Sequence, residues 1–133
     1  MDERRQHRRY PASVPVIGSV VDEGGLRRGL NANTLNVSRH GLAIAIQGQK
    51  ETIDLLSSLL AEDQPINLEV ELAPFGPRIG ATGSVRWYST RSLGNGRHYF
   101  ISGILLDQIA QEENEHWMRF VDHVALKARQ VEV

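Results

Sequence analysis

Two short stretches carry residue types suited to holding an anion. The first is Arg4-Arg5-Gln6-His7-Arg8-Arg9, with four arginines in six positions. Each guanidinium presents a planar fork of donors that matches phosphate or carboxylate oxygens in pairs, so such a density is useful only beside strong negative charge. The second is Asn36-Val37-Ser38-Arg39-His40-Gly41. An amide, a hydroxyl and a glycine at these intervals can all address one small ligand, the glycine by permitting positive φ or a close approach to the main chain. Asp2 and Glu3 set against the four arginines leave residues 1–9 at about +2, although the whole chain carries −1. Anion binding is therefore a local property of the arm and not of the overall field. The arm has no apolar face to bury, and it is expected to stay mobile until a ligand or partner neutralises it.

Other elements must bring the two stretches together, and most of the chain reads as strands. Val14, Val16 and Val20 fall at even positions behind Pro11 and Pro15, giving a first strand. Asp22-Glu23-Gly24-Gly25 is turn chemistry, and a second strand follows from about Arg28 to Leu35. Leu42, Ile44 and Ile46 alternate with Ala43 and Ala45 as a third, so residues 36–41 sit between two strands. Residues 66–72 alternate strictly as a fourth. Ile79, Ala81, Gly83, Val85 and Trp87 make a fifth, with Gly80 and Gly83 marking sharp curvature or a bulge. Past the Gly94-Asn95-Gly96 turn, a sixth runs from His98 to Leu106 and is apolar on both faces, as if one lined a barrel and a helix covered the other.

Helical spacing appears twice. Residues 52–61 place Ile53, Leu56 and Leu60 on one face behind Thr52 as the N-cap, and Trp117, Phe120, Val121, Val124 and Ala128 recur at threes and fours. The expected fold is mainly β: a six-stranded antiparallel barrel with a C-terminal α-helix lying on it and a short inserted helix. The expected divisions are a flexible arm over 1–12, the barrel over 13–108 and the last helix over 109–133.

In this order and spacing, Arg5-x-x-x-Arg9 followed by Asn36-x-Ser38-x-x-Gly41 resembles the signature of PilZ domains, bacterial receptors for the second messenger cyclic di-GMP. The resemblance covers essentially the whole chain except residues 52–61, where that family usually has a short connection. It implies the same barrel and a set of ligand contacts. Arg5 and Arg9 would meet phosphate and guanine, Asn36 would offer its amide, Ser38 its hydroxyl, and Gly41 a close backbone approach. Arg4, directly before the arm motif, is similar to the pattern that accommodates an intercalated pair, which implies two cyclic di-GMP molecules per protomer. Asn36 stands where many members have aspartate, which removes a negative charge beside an anionic ligand. Arg8 is an extra cation, and Arg86 and Trp87 on a neighbouring strand are further candidates, with core packing an equal alternative for Trp87. Fixing the arm costs roughly 1–2 kcal/mol per residue, which charge-assisted hydrogen bonds would offset. Binding then becomes a disorder-to-order switch read by an unidentified protein effector.

Other classes fit less well. With no cysteine there is no thiolate metal site or cysteine nucleophile, and His116 and His123, seven apart, are too widely spaced for one metal. They read as solvent-facing or helix-capping side chains. Ser38 and His40 lack a nucleophile elbow and an acidic partner, so an enzyme is not expected. A basic arm on a small barrel also suits a nucleic-acid module, but aromatic residues are only 6% and the body is slightly acidic. No apolar run approaches the roughly 18–20 residues of a membrane span, so a cytoplasmic location without membrane insertion is the default. A nucleotide-independent adaptor is the remaining alternative, and the sequence names neither a partner nor an oligomeric state.

Overall fold

The computed structural model describes residues 8–61 and 63–132, with side chains as far as residue 128. Its strands are β1 (Tyr10–Pro11), β2 (Pro15–Val21), β3 (Arg27–Ser38), β4 (Gly41–Gln49), β5 (Pro65–Val70), β6 (Ile79–Gly94) and β7 (Arg97–Ile109). Helix α1 (Lys50–Leu59) lies between β4 and β5, and α2 (Gln111–Glu132) follows β7. All pairings are antiparallel in the order β3-β2-β5-β6-β7-β4, and β4 returns to β3. Six strands therefore close into a barrel, as expected. The two-residue β1 is an addition on the outer side of β3, pairing Tyr10 with Val37 and Pro11 with Asn36.

The alternation of each strand explains the closure. Val16 and Val20 on β2, Ile66, Leu68 and Val70 on β5, and Ile79 and Val85 on β6 all point inward and are buried. They meet Leu42 and Ile44 of β4 and Phe100 and Ile104 of β7 in one cluster. Burying such aliphatic side chains is worth about 1.5–3 kcal/mol each, and the period of two fixes which face does so. In the β2–β3 turn, Asp22 accepts the Leu26 amide proton and a hydrogen bond from Arg28, both at 2.9 Å. The Arg28 bond, with the Leu26 amide second, holds that carboxyl below its ordinary range.

The helices close opposite ends. Ile53 and Leu56 enter the core from α1 and Leu60 from its C-cap, where Gly48 near the end of β4 abuts Thr52 and Ile53. Trp117, Phe120 and Val121 of α2 enter from the other, near the start of β4. Helix α1 begins at Lys50, earlier than residue 52, and Gln49 caps it without a side-chain bond, so Thr52 is in the first turn and is not the cap. Two further expectations change. Helix α2 does not cover the outer face of β7: it packs on β1 and β6, the helix that meets β7 is α1, and Leu105 is 40% exposed. His123 is neither solvent-facing nor a cap, because its ring lies 4.1 Å from that of Phe75, centroid to centroid, and its Nε2 is buried without a hydrogen-bond partner. No described helix is long and apolar enough to cross a membrane.

Candidate functional site

The β1–β3 ladder performs the first act of assembly. Tyr10 opposite Val37 and Pro11 opposite Asn36 set a register whose next step places Arg9 beside Ser38. Both line a pocket of about 160 Å³ together with His40, Gly41, Arg86, Ile104 and Leu105. The end of the arginine arm, the Asn-x-Ser-x-x-Gly loop and a third chain segment from β6 thus converge. Among the described residues, no acidic side chain lines the pocket, and two arginines do.

The loop between β3 and β4 is held from behind. Ser38, 6% exposed, donates its hydroxyl proton to the Gly41 carbonyl at 3.3 Å. The Leu106 amide donates to the His40 carbonyl at 2.8 Å. From α2, the fully buried Trp117 donates its indole N–H to the Arg39 carbonyl at 3.3 Å, and Arg39 reaches Asp122 at 3.4 Å. Gly41 is required, but not through positive φ, which it does not adopt. A Cβ there would lie 2.7 Å from the Ile104 carbonyl oxygen, so the closely approaching chain is β7.

Asn36 is half-buried on β3, just after a register shift between Thr34 and Asn36, and does not line the pocket itself. Its Oδ1 is buried with no hydrogen-bond partner. An unsatisfied buried acceptor costs about 1–3 kcal/mol.

Arg86 arrives by a different device. Val85 pairs with Ile104 and Trp87 with Gly103, which leaves Arg86 as the extra residue of a β-bulge. Bulges re-aim side chains, and this one turns Arg86 to the outer face of the barrel and into the pocket. Its guanidinium also stands 3.5 Å from Asp63, with both side chains largely exposed, and such a surface pair is weak enough to be exchanged for a stronger anion. Trp87 is neither core nor pocket lining. The bulge carries it outward, 40% exposed, where its indole covers the space a Gly103 side chain would need. Arg8 is exposed and outside the pocket lining, while Arg4 and Arg5 lie outside the described residues.

His40 and Leu105 also line the pocket and are absent from the sequence-derived set. His40 occupies a variable position of the loop motif, where only its location could have signalled it. Leu105 was assigned to a covered face. A larger hollow of about 580 Å³ runs between residues 11–14, Phe75 and α2, but it is mostly apolar and does not gather the motif residues. Among the described residues, no cluster of three histidine or acidic side chains could hold a metal ion.

Comparisons with known proteins agree with this architecture. The chain is similar to the PilZ domain with c-di-GMP of YcgR from Escherichia coli, at 14% identity, 98% coverage of both chains and a TM-score of 0.69. It is similar to the inhibitor of motility MotI/DgrA of Bacillus subtilis, at 16% identity and TM-score 0.67, over 96% of this chain and 54% of that one. The MrkH–c-di-GMP complex of K. pneumonia gives 14% identity and TM-score 0.70, over 96% and 55%. The chain therefore spans about half the length of the latter two, and likeness at these identities speaks to fold. No curated protein matches it in sequence. The family model of the PilZ domain matches residues 3–123, and the chain belongs to that family.

Proposed function

We propose that the protein is a cyclic di-GMP receptor that converts ligand binding into altered contact with a protein effector. The observation that carries this reading is the convergence of Arg9, Ser38 and Gly41, from two separate motifs, with Arg86 in one pocket. Cyclic di-GMP presents two phosphates and two guanine edges with acceptors at O6 and N7, and a bidentate arginine suits either. At about 160 Å³ the pocket accommodates one phosphate or one base edge. The rest of the ligand lies over the outer face of the barrel, where Arg5 and Arg4 complete the contacts and a second ligand molecule intercalates. The unpartnered Asn36 Oδ1 supports a role for its amide at the ligand's edge. Closing the arm on the ligand creates the surface that an effector reads. The activity is binding, with no chemical step.

Calorimetric titration of cyclic di-GMP into protein cleared of copurified nucleotide tests this directly, with GTP as the control. Wild type is expected to bind saturably with two ligands per chain. Arg9→Ala is expected to lose about 1.5–3 kcal/mol of affinity, the range for a hydrogen bond to a charged group, and Arg86→Ala less. Absence of heat and of any thermal shift with the wild type would sink the reading.

A further inference from the structure

Residues 86–97, the end of β6 and its turn, are all exposed, an unbroken run unmatched elsewhere among the described residues. On one side, Trp87 to Ser92 pair without interruption with Gly103 to His98 of β7. On the other side, β5 accompanies β6 only as far as Ser84, and Val85 bonds to Asp63 and Gln64. Beyond that point no described strand pairs with β6. The barrel thus closes over half of β6 and leaves the other half as an edge with unpaired main-chain donors and acceptors. Natural edges are blunted by lysine, proline or inward-pointing charge. Residues 87–93 contain no lysine, proline or acidic residue, and three of them, Trp87, Tyr88 and Leu93, are large hydrophobic side chains 40%, 45% and 45% exposed.

We propose that this edge is the seam of a homodimer, in which two copies pair antiparallel through residues 87–93 about a two-fold axis at Thr90. The stretch Trp-Tyr-Ser-Thr-Arg-Ser-Leu is nearly self-complementary in that register. Tyr88 of one copy faces Ser92 of the other and the two Thr90 side chains face each other, both favourable cross-strand pairs, while Trp87 and Leu93, beside the register shifts that bound the segment, meet at its ends. Charge selects the same register. Arg91 is the lone charged residue of the segment, and the axis at Thr90 sets it opposite Ser89, whereas an axis one residue later would oppose the two arginines directly. The isologous pairing closes on itself, so it yields a dimer and not a filament. Seven residues a side is well below the roughly 20–30 of a standard interface, the size of a small, reversible contact.

Sedimentation equilibrium of the ligand-free full chain over micromolar concentrations tests the seam without reference to cyclic di-GMP. Wild type is expected to pass from one to two chains as concentration rises. Thr90→Glu and Thr90→Lys each place like charges across the axis at an exposed position that leaves the core untouched, and each alone is expected to weaken association about tenfold or more. Mixed in equal amounts they are expected to recover a one-to-one dimer, which mere misfolding could not produce. A wild type that stays monomeric overturns the proposal. So does a dimer that persists in either variant alone, or a mixture that fails to associate.

Discussion

The β3–β4 and β6–β7 hairpins both turn in two residues, yet they hold those turns by opposite means. At the β6–β7 tip, Asn95 and Gly96 adopt φ of 54° and 74°, the left-handed pair whose twist matches a tight hairpin. The tip is exposed and needs nothing from the rest of the molecule. At the β3–β4 tip, Arg39 and His40 have no positive φ, a geometry that would by itself splay the strands. The turn is kept mainly by bonds from elsewhere, Trp117 to the Arg39 carbonyl and Leu106 to the His40 carbonyl, with Ser38 bonding Gly41 across the turn. One turn is specified by its own backbone, the other by its surroundings. The candidate site is built on the second, so its shape is tied to the position of α2.

The strongest test of that contrast is Trp117→Ala. Removing a fully buried indole is expected to cost about 3–5 kcal/mol in urea unfolding. Amide exchange should accelerate in the 39–40 turn while the 95–96 turn is unaffected. Equal acceleration of both would break the comparison. Trp117→Phe sharpens it by keeping most of the bulk and losing the N–H donor, at about 1 kcal/mol. Gly41→Ala comes next. Its Cβ would press on the Ile104 carbonyl, and because that obstacle is backbone the expected loss is about 1–3 kcal/mol, read as a lower Tm together with weaker cyclic di-GMP binding. Of the two glycine changes the smaller effect belongs to Gly96→Ala, about 1–2 kcal/mol for a left-handed alanine. Cyclic di-GMP affinity should be unchanged, and a fall in affinity there would show that the two hairpins are not independent.

Much of the fold was legible because apolar period and turn chemistry agree in most segments. Strict alternation marked β5, and Gly94-Asn95-Gly96 marked the β6–β7 turn. Gly83 pointed to an irregularity, and a register shift between Thr82 and Gly83 lies there. The two halves of the site were legible as residue types, and Arg9, Ser38 and Gly41 do meet. What escaped the sequence was anything decided by a third segment. Alternation through β6 pointed Trp87 inward, since nothing in Val85-Arg86-Trp87 announces a bulge. The apolar outer side of β7 suggested a covering helix, but Leu105 is instead part of the pocket wall. The reason for Gly41 was read as left-handed backbone or an approaching ligand, whereas the neighbour is a strand more than sixty residues later in the chain.

The bulge at Arg86 has a consequence for how such a site can be acquired or lost. A strand alternates with a parity of two, and one supernumerary residue reverses that parity for everything after it. Deleting Arg86 would thus remove one cation and straighten the strand, with Val85 still opposite Ile104 and Trp87 still opposite Gly103, so that Trp87 stays outward and Tyr88 keeps its stack on Phe100 at 5.5 Å. Substitution alone cannot make that change. Variation among relatives at this point is therefore best followed in the lengths of their chains between Val85 and the turn, because a strand one residue shorter there has no bulge and no position from which a cation is turned outward.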